Sequence, residues 1–284
     1  MILTCTDGSL YSASIYSHAA WAAGRLEAPI HVLHVIEREE GTAATDLSGS
    51  IGFHASTELL NELTQLDEAN ARVARLRGKA ILEDARKELE LELGAAGPAI
   101  TTSQRHGSLV EILGEFEGSV QLIVLGKRGE HADFSKGHLG SNLERVVRSS
   151  KQPVLVAARE FRPIDRFLLA FDGGSSSLKA VHHIATQPLL AGAACELIAV
   201  GKPESNLARA LDAAALGLRG AGFDVTAELL PGDPDDVIAA RVKERGVNLL
   251  VMGAYGHSRV RQLILGSTTT HLVRVCEVPV LLFR

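Results

Sequence analysis

The feature that most constrains this chain is that it repeats itself. Asp7, His18 and Val35 return 165 positions later as Asp172, His183 and Val200. Further on, Gly107 answers to Gly232, Gly126 and Gly129 answer to Gly253 and Gly256, and Gly140-Ser141 answers to Gly266-Ser267. Pro153-Val154-Leu155 likewise matches Pro279-Val280-Leu281. A repeat on this scale asks for two copies of one folding unit, and 284 residues are enough for two cores. The expected domains are residues 1–160 and 163–284, meeting at Phe161-Arg162-Pro163. The copies differ in one place. Val35 and Gly107 lie 72 positions apart, but Val200 and Gly232 only 32, so the first copy carries 40 extra residues.

Each copy alternates short apolar runs with stretches of helical periodicity. Strands are predicted at 2–6, 30–36, 99–105, 120–125 and 153–157, then at 167–171, 196–200, 223–230, 247–252 and 278–283. Helices are predicted between them. The longest covers about 59–93, with Leu59, Leu63, Leu66, Val73, Leu76 and Ala80 on one face and Gly78 as a candidate break. Others are expected at 12–26, from Gly107 with a Ser108-x-x-Glu111 capping box, and at 140–148. In the second copy they fall at 175–190, at 205–219, from Asp233-Pro234, and in a pattern clear from His271. Strands too apolar to face water, interleaved with helices, read as an α/β fold of parallel sheets covered on both faces.

Composition narrows the function classes. Hydrophobic residues make up 46% and charged residues 22%, which suits a packed core. The net charge of −5 gives no general attraction to nucleic acid or to an anionic membrane. No apolar run reaches membrane-spanning length, and Met1-Ile2-Leu3-Thr4-Cys5 already reads as a strand rather than a leader. Three widely spaced cysteines in apolar runs, Cys5, Cys195 and Cys276, read as buried thiols, and the expected location is cytoplasmic.

The chemistry concentrates near the end of the second copy. The run Val247–Met252 stops at Gly253, Gly256 follows, and Gly266-Ser267-Thr268 stands at the start of a helix. Glycine lets a backbone approach an anion closely, and a helix start offers unpaired N–H groups and a favourable dipole. In open parallel sheets ligands settle outside the carboxyl ends of the strands, where Asp172 and Gly253 both lie. This reads as a phosphate cradle. Asp7 and Asp172 also suit plain helix capping, since Asp-Gly is followed by serine-rich starts. No Gly-x4-Gly-Lys-Ser/Thr loop occurs, and Ser175, Ser267 and Thr268 have no evident His–Asp relay. His131, Asp133 and His138 read as a solvated loop rather than a metal site. His31 and His34, three apart in a strand, point to opposite faces, and His182-His183 reads as a helix-surface pair.

The spacing Gly253-x2-Gly256-x9-Gly266-Ser267-Thr268, with an aspartate closing the first strand and a short last strand rich in aliphatic residues, resembles the universal stress protein family in its tandem form. The resemblance covers nearly the whole chain. It implies two tandem domains, each a five-stranded parallel sheet of order 3-2-1-4-5 with helices on both faces. It also implies ATP as ligand, with Mg²⁺ expected only as the ion that ATP usually carries. Residue by residue, Ala170 and Asp172 would lie at the ribose or adenine, Val200 would meet adenine through its backbone, and Met252 would flank the base. Gly253, Gly256, Gly266, Ser267 and Thr268 would hold the phosphates, with His257 and Arg259 as side-chain contacts. The first copy departs from the pattern. Ten residues separate Gly129 from Gly140, and Asn142 replaces the second hydroxyl. Glu130 and Asp133 repel phosphate there, partly offset by Lys127, Arg128 and Lys136. Asp7, Val35, Gly126, Gly129, Gly140 and Ser141 are therefore the weaker candidates, and nucleotide is expected in the second copy.

Three functions remain open from sequence: a nucleotide-biased stress-response regulator with an unknown protein partner, a slow ATP hydrolase or phosphotransferase, and a nucleotide-free scaffold. The family resemblance also implies that Val154–Val156 and Val280–Leu282 pair the two halves as an intramolecular pseudo-dimer, leaving room for a homodimer. The long helix, unmatched in the second copy, is the natural place to look for a partner.

Overall fold

A computed structural model describes residues 1–37, 57–127, 141–202, 206–254 and 265–284. The first half holds strands β1 (Ile2–Cys5), β2 (Ile30–Ile36), β3 (Ile100–His106), β4 (Leu122–Gly126) and β5 (Val154–Ala157). The second holds β6 (Arg166–Ala170), β7 (Ala194–Val200), β8 (Val225–Leu230), β9 (Leu249–Gly253) and β10 (Val280–Phe283). Between them run α1 (Ser12–Leu26), α2 (Thr57–Leu93), α3 (Leu109–Phe116) and α4 (Ser141–Ser149), then α5 (Ser175–Thr186), α6 (Asn206–Gly220), α7 (Pro234–Glu244) and α8 (Ser267–Val275).

All ten strands form one sheet, in the order β3-β2-β1-β4-β5-β10-β9-β6-β7-β8. Within each half the pairing is parallel and the order is the expected 3-2-1-4-5. The halves meet edge to edge through an antiparallel ladder, in which Val280 faces Val156, Leu281 faces Leu155 and Leu282 faces Val154. Every residue of β1, β5 and β10 is buried, as befits strands covered on both faces. Alternation along the strands sorts the core into two layers. One contains Ile2, Val124, Leu155, Leu281 and Val251, the other Leu3, Ile123, Val156, Val280 and Leu250. Both layers run unbroken across the junction, so the halves share their core.

Several local expectations change. Gly78 does not break α2, which runs through it. The glycine lies where the helix presses on β2 and β3, and a Cβ there would strike the Gln104 side-chain amide and come within 2.7 Å of the His34 ring. Close approach, not termination, explains it. The capping box at α3 is not made, because Ser108 forms no side-chain cap and the Leu109 N–H donates to Glu37 Oε1 at 3.3 Å. At α7 the expected cap is present, with Asp233 Oδ1 accepting from the Asp235 N–H at 2.9 Å and Pro234 in the first turn. Helix α5 ends at Thr186, ahead of a short 3₁₀ turn at Pro188–Leu190, because proline cannot continue the helix. Helix α8 begins at Ser267, a full turn before His271. All three cysteines are free and buried, and burial pushes the Cys5 and Cys195 thiols up to about 12. Among the described residues no helix is long and apolar enough to cross a membrane, and no cluster of three or more metal-ligating side chains occurs.

The segment leaving β5 is tied back onto α1. Ser14 Oγ donates to the Ala158 carbonyl at 2.8 Å, and the His18 ring meets Phe161 edge-on at 5.0 Å. His18 is fully buried; its Nδ1–H donates to the Ser14 carbonyl at 2.6 Å, while Nε2 finds no partner among the described residues. Desolvation, with a smaller push from Lys127, lowers its pKa to about 4. Because the unfolded chain binds this proton at higher pH than the folded one, the group costs nothing above about 6.5. Its penalty grows as pH falls toward 4. Urea unfolding should accordingly show ~3 kcal/mol of stability lost across that window through this site. A His18→Gln variant should flatten that part of the pH profile, and an unchanged profile would contradict the assignment.

Candidate functional site

The second-half candidates gather at the carboxyl ends of β6, β7 and β9. Ala170 lies in register with Ile198 on one side and Met252 on the other. Asp172 and Val200 each stand two residues beyond that Ala170–Ile198 pair, so they lie side by side at the mouth of the sheet. Asp172 Oδ1 accepts from the Gly174 N–H at 2.8 Å and from the Ser177 hydroxyl at 2.6 Å. Gly173 sits in the left-handed region at φ 76°, which closes this tight turn and suits glycine. The aspartate is therefore not the N-cap residue of α5, a position held by Gly174. Its carboxylate is instead fixed at the strand end by the turn and by the first turn of the helix.

Gly253 connects this corner to the next helix. A Cβ there would lie 2.9 Å from Ser176 Cβ and 3.2 Å from the Ser177 amide nitrogen, so α5 rests directly on the glycine. The Gly253 carbonyl accepts from Thr269 Oγ1 at 3.2 Å, and the Gly266 N–H donates to the Ala254 carbonyl at 3.1 Å. These bonds hold the start of α8 against the end of β9. Gly266 is the N-cap of α8 and supplies no side-chain cap, so the amides of the first turn point outward beside exposed Ser267 and half-buried Thr268. Asp172, Val200, Gly253, Gly266, Ser267 and Thr268 thus stand at one corner, with Ala170 and Met252 buried beneath it. Gly256, His257 and Arg259 lie outside the described residues. Ser177 and Thr269, which do the positioning, were missed in the sequence. Their signals were a serine five residues after the aspartate and a third hydroxyl after Gly-Ser-Thr.

The first half repeats the scaffold with different occupants. Asp7 Oδ1 accepts from the Ser9 N–H at 2.9 Å, and Gly8 is left-handed at φ 73°, matching Asp172 and Gly173. Val35 and Gly126 stand at the ends of β2 and β4. Gly129 and Gly140 lie outside the described residues, and Ser141 is known only as the first residue of α4. Two charges then set this half apart. Glu37 directs one carboxylate oxygen to the Leu109 N–H and the other to Asn142 Nδ2 at 3.0 Å, bridging the starts of α3 and α4. Its counterpart in the repeat is Lys202, and the counterpart of Leu109 is Pro234, which has no N–H to give. Lys127, expected to offset phosphate repulsion, reaches across to the other half and donates to the Cys276 carbonyl and to the Val278 carbonyl at 3.1 Å. These carbonyls close the C-terminal end of α8, where a cation is favoured. Burial nonetheless lowers the ammonium to about 8. The charge expected to serve the first cradle thus serves the junction. His183, expected at the helix surface, is half-buried and packs on Phe283 at 5.2 Å.

Comparison with known proteins places this architecture. A family model described as the universal stress protein family matches residues 1–158 and 196–284. The chain belongs to that family. A universal stress protein of Synechocystis sp. is 38% identical over 287 residues, covering 100% of this chain and 99% of its own. One from Mycolicibacterium smegmatis is 26% identical over 316 residues, covering 100% and 96%. Among solved structures, a universal stress protein from Archaeoglobus fulgidus DSM 4304 superposes with a TM-score of 0.70 at 20% identity, covering 100% of this chain and 95% of that one. That last likeness concerns the fold alone.

In this universal stress protein Gly253 is the residue whose replacement tests the corner most directly. Gly253→Ala would push a methyl group against the backbone of Ser177 as well as against Ser176, and neither is the free end of a flexible side chain. Urea denaturation should show a loss of about 1–3 kcal/mol, the usual cost of overpacking a tight site. An unchanged midpoint would mean that α5 does not rest on β9 as described.

Proposed function

We propose that this tandem universal stress protein binds ATP in its second half, residues 163–284, and acts in the stress response as a nucleotide-biased regulator. The observation carrying this reading is the charge contrast between the two corners. In the first, the Glu37 carboxylate already sits across the starts of α3 and α4. In the second, Lys202 takes that place in the repeat, and the glycine-capped start of α8 offers its first-turn amides. An anionic ligand gains from helix-start amides and loses beside a fixed carboxylate, so the two halves differ in sign at matching positions of the repeat. In this reading Asp172 accepts from ribose hydroxyls, Val200 meets adenine through its backbone beside Met252, and Gly253, Gly266, Ser267 and Thr268 hold the phosphates. Gly256, His257 and Arg259 complete the set from sequence. Mg²⁺ enters only as the partner of the nucleotide phosphates.

The family supplies the stress-response role, and the site supplies a reason for regulation rather than chemistry. Lys202 apart, the polar groups that the described second-half residues offer at the corner are backbone amides, hydroxyls and one fixed carboxylate. Such a site holds a nucleotide and ties the β9–α8 connection to its presence. Calorimetric titration of ATP, with and without Mg²⁺, should give a stoichiometry near one per chain. Gly266→Glu places a carboxylate at the helix start and should weaken binding at least ~10-fold, a change worth about 1.4 kcal/mol or more. Two equivalents per chain, or a Gly266→Glu variant that binds as well as the parent, would overturn the second-half assignment. No binding at all would overturn the nucleotide reading.

A further inference from the structure

The starts of α3 and α4 come together in the first half, and the chain seats an anion of its own between them. Leu109 is the first residue of α3, so no carbonyl within the helix can accept its N–H, and the N-cap Ser108 forms no side-chain cap. Glu37, the residue after β2, supplies the acceptor. Its Oε1 accepts from the Leu109 N–H at 3.3 Å, and its Oε2 accepts from Asn142 Nδ2, in the first turn of α4, at 3.0 Å. Arg145, three residues beyond Asn142, donates to Ser108 Oγ at 3.4 Å, which brings a guanidinium to the same pair of helix starts. A main-chain amide, a side-chain amide and a guanidinium thus converge from two helices, all of them donors. Glu111 and Glu144 lie in the same first turns and are exposed. Glu37 is exposed too, so water competes for its carboxylate.

The second half keeps none of these donors. The repeat puts Asp233 at Ser108, Pro234 at Leu109, Thr268 at Asn142 and His271 at Arg145. Proline has no N–H, and the Asp233 carboxylate caps α7 by accepting from the Asp235 N–H. Lys202 stands in the place of Glu37. The donors and the carboxylate they hold therefore occur together, in one half only.

We propose that the first half carries an oxyanion site of its own, between the starts of α3 and α4, and that Glu37 fills it from within. The ligand class is a small oxyanion, a carboxylate or a phosphate group, because the resident carboxylate shows what charge and shape the donors accept. Two oxygens of one group reach both helices, and charge-assisted bonds of that kind suit either anion. Glu37 acts as a gate. While it is seated the helix starts are satisfied, and an external anion meets a negative charge. Once it swings into solvent, the same donors are open to a ligand. The site differs in its donors from the second-half corner and does not require that corner to hold nucleotide.

The test is urea unfolding of the full chain and of a Glu37→Ala variant, in chloride and then in phosphate or acetate at equal ionic strength. Loss of the carboxylate should lower the midpoint. Phosphate or acetate at ~10 mM should restore at least about half of that loss, since an anion that binds only the folded chain stabilises it. The wild type reports what both chains share, including any anion held in the second half and the general effect of phosphate on burial, so the difference between the chains is the readout. Adding Asn142→Ala to the Glu37→Ala chain should abolish the rescue, because it removes a donor and not merely a charge. Rescue by both anions identifies an oxyanion site, and rescue by one alone identifies the chemistry it selects. Equal responses of the wild type and Glu37→Ala chains would overturn the proposal, as would a rescue that survives the loss of Asn142. A Glu37→Ala midpoint equal to that of the wild type would overturn the seating of the carboxylate itself.

Discussion

The antiparallel ladder between β5 and β10 is the contact on which the rest of the molecule depends. Without it each half would present a buried apolar strand as an open sheet edge, with unpaired backbone groups along it. With it, Leu155 and Leu281 become interior residues of a single core, and both apolar layers pass through the junction. The corner formed by β6, β7 and β9 inherits its rigidity from this continuity, because β9 is the direct neighbour of β10. Lys127 strengthens the same junction by placing an ammonium on the carbonyls that end α8.

The pseudo-symmetry of the two halves is close in backbone and broken in charge. Both turn out of their first strand with an aspartate accepting from the amide two residues on and a left-handed glycine between. Both fasten the first helix to the carbonyl that follows the last strand, through Ser14 to Ala158 in one half and Lys179 to Arg284 in the other. Where the two halves correspond near these strand ends, side chains that differ include Glu37 against Lys202, Leu109 against Pro234 and Lys127 against Ala254. A scaffold is thereby retained while its preference for an anion is divided between two corners.

Much of this could be read from residue order. The repeat gave two copies, and apolar strands alternating with helical periods gave parallel sheets. The strand order and the last-strand pairing came through the family resemblance. What escaped was decided by contacts between distant segments. Gly78 looked like a helix breaker because its neighbours Gln104 and His34 are remote in sequence. Ser108 and Glu111 had the spacing of a capping box, but Glu37, 72 residues from Leu109, takes the amide instead. Lys127 looked like a charge offsetting phosphate repulsion in the first copy's loop, and only the folded chain shows it crossing to the other half. Ser177 and Thr269 were silent for the same reason, since a hydroxyl that positions a carboxylate or a carbonyl has no signature of its own.

The short connection from β5 to β6, pinned by Ser14 and Phe161, has a consequence for how the molecule behaves on dilution. Two separate half-chains joined along such an edge would come apart as their concentration fell. Here the connection runs from Ala158 to Asp165, so each half sees the other at an effective concentration on the order of millimolar however dilute the protein becomes. The same tether removes any demand that the paired surfaces be identical. Each face of the junction is encoded separately, and a substitution on one side is felt once rather than twice.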